Sequence, residues 1–326
     1  GANNVAVGFC SLRANTTASN NTAVGTNSLK LTNTGAANTA VGYRAMEDNT
    51  TGTCNTAVGC AALVTNTTGA CNVAVGKEAL GANTTGACNT SMGYHSLLSH
   101  TTGNSNTAIG CGAGALTTTG VCNVFVGRAA GVTNTTGSNN VAVGFAAGAS
   151  TTGSSASNNV AIGHFASCRT TTGASNTAVG CGALCTNTTG ARNVAIGAVS
   201  LDNNTTGSDH TAVGMDALGD MTTGGCNTGL GRYAGSEITT GSNNSVIGFN
   251  GQASSATVSN EVTLGDGNIS NLRCNDTSIS GLSDERDKEN IEDIPHGLEY
   301  ILALRPVKFD WNTRDGTRKG RKDYGF

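Results

Sequence analysis

The sequence predicts an all-β chain, a parallel β-solenoid (β-roll) of 16 coils with a 17-residue period, followed by a short domain of different character. Three observations carry this reading. The pentapeptide Asn-Thr-Ala-Val-Gly is complete at Asn21–Gly25 and returns at Asn38–Gly42, Asn55–Gly59 and Asn176–Gly180. Its closing glycine recurs every 17 residues from Gly8 to Gly144 and, after two extra residues, from Gly163 to Gly265, in 16 copies. Aromatics make up 4% of the 326 residues and charged residues 12%, so a broad core of large side chains cannot form. Such regularity means one structural unit stacked on itself.

Positions are counted from the closing glycine. The residue before it (−1) is Val, Ile, Leu or Met in all 16 copies. Position −3 is Val or Thr with one Ser, −2 is usually Ala, and −4 is Asn except at His210 and Glu261. This alternation predicts a strand with two unlike faces. The larger side chains at −1 and −3 are expected inward. The small residue at −2, such as Ala178, is then expected outward, in a row suited to packing against another chain. On this assignment Ala178→Glu should harm assembly more than Thr188→Glu.

After the glycine, Ala or Ser at +3 and often Leu at +4 predict a second short strand or bend that adds Leu29, Leu63 or Leu184 to the core. Gly replaces this Leu at Gly114, Gly131, Gly148 and Gly235, so the cross-section should vary along the shaft. Thr-Thr-Gly, as at Thr67–Gly69, should close the coil through a glycine with positive φ. The two extra residues should be absorbed in a loop around Ser154–Ser157, because turns tolerate length changes and strands do not. With strands about 4.8 Å apart, the rod is on the order of 75 Å long.

The Asn row at −4 predicts a stacked amide ladder that satisfies turn backbone groups. The Asn-Thr-Thr glycosylation pattern at Asn66, Asn83, Asn134 and Asn187 is a by-product of the repeat. An ice-binding face would need two Thr ranks on one strand, whereas these threonines adjoin in a turn. Cys54, Cys71 and Cys88 share one repeat position with Cys122 and Cys226, and Cys60, Cys111 and Cys181 share another. No spacing suits zinc, and the thiols are expected to be mostly free, as small apolar fillers. Asp202, Asp209, Asp216 and Asp220 form the one acidic cluster of the array, read as a solvated turn rather than a calcium site or glycosidase pair. His164 and His210 read as surface variation.

The repeated Asn-Thr-Ala-Val-Gly-x-x-Ala-Leu resembles the coils in the heads of trimeric autotransporter adhesins. That resemblance, over residues 1–265, implies left-handed parallel β-rolls with three chains side by side. The repeat fades between residues 266 and 282, read as a neck. From Ser283 the last 44 residues hold 19 of the 39 charged residues, both prolines and the only Trp, which marks a domain boundary. Gly297–Leu304 reads as a short helix ended by Pro306, Val307–Trp311 as a strand, and Thr313–Lys322 as a charged loop.

Ser283-Asp-Glu-Arg-Asp-Lys288, Leu304–Trp311 and Asp323–Phe326 resemble blocks of the S74 peptidase family, the intramolecular chaperones that end many phage tail fibres. Val262–Gly265 through Leu272–Cys274 resembles the neck before this domain in phage and algal-virus fibres. The resemblance implies an α+β domain that aids trimerisation and then cuts itself off, with Ser283 as nucleophile and Lys288 as general base. It also implies a cut at Leu282–Ser283, with Ser283–Asp284 as the alternative, and a domain that continues beyond residue 326. A lysine of lowered pKa can take a serine proton, so the chemistry is sound.

The expectation is a homotrimeric, adhesive fibre shaft on a virion or in the extracellular space, facing a host-surface receptor or glycan. The alternatives are a glycan-degrading β-solenoid tailspike and a bacterial surface adhesin. A net charge of −3 argues against nucleic acid, no apolar run suits a membrane span, and no cofactor is expected.

Overall fold

A computed structural model describes residues 1–150 and 153–273, together with the backbone of two strands near the C-terminus. The chain divides into two compact units, Gly1–Ser270 and Asn271–Phe326.

The first unit is the solenoid. Each coil contributes one three-residue strand, from β1 (Val5–Val7) to β16 (Val262–Leu264), and the sixteen strands form one sheet in chain order. Every pair is parallel and in register: Ala57 lies against Ala74, and Ala74 against Ser91. Of the second short strand or bend expected after the glycine, the structure shows the bend. Ala61 and Leu63 adopt left-handed φ values of 54° and 53°, which no strand residue does. Left-handed backbone costs an L-residue roughly 1–2 kcal/mol. Bonds between coils hold it in place, with Leu63 N donating to Ala79 O at 2.9 Å and Ala61 N to Tyr43 O at 2.8 Å.

The strand faces are the reverse of the expectation. Ala23, Ala40, Ala57, Ala74 and Ala178 at −2 are fully buried, whereas Val58 at −1 keeps 37% of its surface. The reason is the bore of the coil. Ala at −2 faces Leu at +4 and Ala at +3 across a narrow interior, and these residues form the core cluster together. Two β-branched side chains per strand would overfill it.

Phe125 demonstrates this limit. It is the one aromatic at −2, it is buried, and it lies where both neighbouring Leu positions are glycine. A Cβ on Gly131 would come within 2.4 Å of the Phe125 ring, and one on Gly114 within 2.7 Å. At Gly114 and Gly131 a larger strand residue therefore fills the space that leucine would take, whereas Gly148 faces only Ala142 and Ala161. Phe125→Ala is expected to cost about 3–5 kcal/mol through the cavity it leaves. Gly131→Leu added to it should restore part of that loss, because Leu63 shows that leucine tolerates this backbone. Urea unfolding of the two single variants and the double one checks this; a double variant no better than either single one would refute the complementarity.

The amide ladder is present and buried. Asn72 N donates to Asn55 Oδ1 at 2.9 Å, and Asn72 Nδ2 donates to Gly86 O at 2.8 Å. The coils above and below repeat the pattern. His210 does not lie on the surface: it takes the ladder position, and its Nδ1 accepts from Asn227 N at 3.1 Å. Burial keeps its pKa below the usual imidazole value, as an accepting ring nitrogen requires. A second ladder, at +7, runs through Asn49, Asn66 and Asn83, each donating to the Gly three residues on. His100 takes the same role, with Nε2 2.8 Å from Gly103 O.

The Thr-Thr-Gly glycines do not have positive φ. Their constraint is space: a Cβ on Gly69 would lie 2.3 Å from Gly86 O and 2.4 Å from Asn66 Oδ1. The left-handed glycines are the closing ones, such as Gly59 at φ +135°. The two-residue insertion leaves the stack unbroken, with Val160–Ile162 in register on Val141–Val143. Thr133 Oγ1 still reaches Ser150 O 17 residues on, while Thr135 N reaches Ser154 O 19 residues on. The extra residues thus fall between Ser150 and Ser154, just ahead of the expected loop.

In the second unit, β17 (Val307–Asp310) pairs antiparallel with β18 (Lys322–Gly325), Val307 against Gly325 and Asp310 against Lys322. The strand expected at Val307–Trp311 is therefore present. The helix expected at Gly297–Leu304 lies outside the described residues.

Candidate functional site

Because Ala points inward, the aliphatic −1 row points out. Val58, Met92, Ile109, Ile196 and Leu230 are 37–43% exposed, one above another along the rod. The −3 residues Val73, Val124, Val141 and Val194 are half-buried beside them. The result is an apolar stripe one residue wide along the strand face, widened to two only in coils where −3 is Val, since −3 is Thr or Ser in the others. Contiguous apolar surface on this scale marks an interaction face.

The corner after each closing glycine carries a second pattern. Phe125 apart, every aromatic residue of the described shaft stands at +1 or +2: Phe9, Tyr43, Tyr94, Phe145, Phe165, Tyr233 and Phe249. Phe145 stacks on His164 with ring centres 5.4 Å apart and meets Phe165 edge-on at 5.4 Å. Cations sit over these rings, Arg128 at 5.5 Å from Phe145 and Arg232 at 4.6 Å from Tyr233. The sequence reading missed this row, although the restriction of aromatics to two repeat positions was there to be counted. His164, read from the sequence as surface variation, belongs to it, and its Nδ1 lies 3.7 Å from the Cys181 thiol.

The cysteines are mostly free, but they do not fill the core. Cys54, Cys60, Cys71, Cys88, Cys111, Cys122, Cys181 and Cys226 are all exposed, because their repeat positions fall at corners of the coil. Cys168 and Cys185, equivalent residues of successive coils, form a disulfide with Cα atoms 4.9 Å apart.

The acidic cluster divides in two. Asp209 pairs with Arg192 at 2.6 and 2.8 Å, and the guanidinium holds its carboxyl below the usual range. Burial, and then the charges of Asp216 and Asp220, push Asp202 up; burial followed by Asp220 does the same to Asp216. Among the described residues, no group of three His, Cys, Asp or Glu side chains could hold a metal ion. No helix among them is long and apolar enough to cross a membrane. Ser283 and Lys288 lie outside the described residues.

Fold and surface together define a β-solenoid repeat protein, built to present one face along its length. Residues 283–326 match the S74 peptidase family, described as the chaperone of endosialidase. The solenoid and this segment make the chain a fibre- or tailspike-like structural protein. No curated protein and no solved structure matches the chain.

Proposed function

We propose that three copies of this chain form an adhesive fibre shaft on a virion or in the extracellular space, facing a host-surface receptor or glycan. The observation that carries this is the apolar stripe. It repeats once per coil over sixteen coils, so a partner that covers it must have the same rise and length. A parallel copy of the same chain satisfies both conditions. In a three-fold arrangement each chain can turn its aliphatic −1 row to a neighbour, out of water.

On this reading the C-terminal segment assists assembly and then cleaves the chain at Leu282–Ser283, with Ser283 as nucleophile and Lys288 as base. The S74 match supports it by spanning both residues.

Multi-angle light scattering should give three times the chain mass. Val179→Glu combined with Ile196→Glu should give folded monomers, because both residues lie on the stripe and neither on the inner face. A wild-type rod that stays monomeric would remove the basis of the proposal.

A further inference from the structure

Three consecutive coils carry a cysteine at the residue before the ladder asparagine: Cys54, Cys71 and Cys88. All three are exposed and unbridged, and all three have φ of 58°. Their amides make the same bond to the preceding coil, Cys54 N to Ala36 O at 3.1 Å, Cys71 N to Thr53 O and Cys88 N to Ala70 O at 3.0 Å. Identical backbone in identical register sets the side chains parallel, one coil rise apart. Where stacked equivalent Cα atoms are measured, at Cys168 and Cys185, that separation is 4.9 Å.

Parallel side chains at this spacing suit one kind of bond and not another. A disulfide requires Cβ atoms about 3.8 Å apart and sulfurs about 2.05 Å apart. Cys168 and Cys185, which lack the left-handed backbone, close such a bond; the three ladder thiols stay open. Two metal–thiolate bonds laid in line, at the zinc–sulfur length of about 2.3 Å each, span about 4.6 Å. That span matches the coil rise.

We propose that Cys71, with Cys54 or Cys88, binds a soft monovalent cation of the copper(I) or silver(I) type in linear two-thiolate coordination. Each of the two thiols gives its proton to solvent, and the cation joins the two thiolates with no change of oxidation state. Thiolate sulfur selects soft cations. Zinc requires four ligands around a point, whereas a ladder is a straight line and no three such side chains here could hold an ion. Cys71 is the shared ligand. Cys54 and Cys88 stand two rises apart, twice 4.9 Å, beyond the reach of one cation.

The test uses the full chain, silver(I) as probe and an excess of a small monothiol, so that single cysteines do not retain the ion. Silver that stays with the protein through gel filtration is counted per chain by elemental mass spectrometry. Cys71→Ser should lose one equivalent relative to wild type. Cys54→Ser and Cys88→Ser should each keep the wild-type count, and the double variant of those two should match Cys71→Ser. These are exposed thiol-to-hydroxyl changes, and circular dichroism confirms that the solenoid is retained. An unchanged count in Cys71→Ser would overturn the site. So would a loss in Cys54→Ser as large as in Cys71→Ser, which would mean a convergent three-thiol site. Retention of zinc that depends on Cys71 would overturn linear coordination. An intact mass two hydrogens light, mapped to these cysteines in the absence of metal, would show that they form a disulfide instead.

Discussion

Ala178→Glu is expected to unfold the middle of the shaft. Ala178 is fully buried and lies in register between Ala161 and Ala195. A carboxylate there would enter a bore lined by small apolar side chains, with no cation to pair with. Burying an unpaired charge costs several kcal/mol, and the protonated acid would still not fit beside Leu184. The loss should propagate, because each coil is held by its neighbours. Thr189→Glu, at an exposed turn position, should leave the fold unchanged. Val179→Glu should separate folding from assembly, giving a folded solenoid that fails to associate. Circular dichroism, limited proteolysis and light scattering on the three variants distinguish these results. A folded Ala178→Glu rod would mean that the strand faces are the other way round.

On the proposed reading, Ser283→Ala is expected to abolish self-cleavage. The unaltered protein should separate into a shaft and a small C-terminal fragment without added protease. Lys288→Ala should stop or greatly slow the reaction by removing the proposed base. Lys288→Arg should not rescue it, since guanidinium holds its proton near neutral pH. On the proposed reading, cleavage should also require assembled chains, with assembly bringing nucleophile, base and scissile carbonyl into line. Denaturing gels read the outcome directly, and normal cleavage in Ser283→Ala would rule out the nucleophile.

Much of this molecule is legible before any coordinates. The 17-residue spacing of the closing glycines dictates coils, because a repeat that cannot bury its own apolar residues must stack. Asn at −4 in almost every copy dictates a ladder, because a buried amide needs a partner and the next copy supplies one. Even the place of the insertion could be narrowed to a turn, since a strand would lose its register.

The strand faces were another matter. Alternation establishes that −1 and −3 share one side and −2 the other, but not which side is inner. That depends on the bore of the closed coil, set by backbone turning at residues such as Ala61 and Leu63, whose left-handed φ no local pattern announces. Once the bore is narrow, Ala must face in and Val out, and Phe125 fits only where Gly114 and Gly131 leave room. The placement of His210 in the ladder, and of Cys54, Cys71 and Cys88 on an outer corner, follows from the same closure. The repeat length and the ladder were therefore properties of the sequence alone. Inside and outside were decided by the tertiary structure, because they depend on the volume the closed coil encloses.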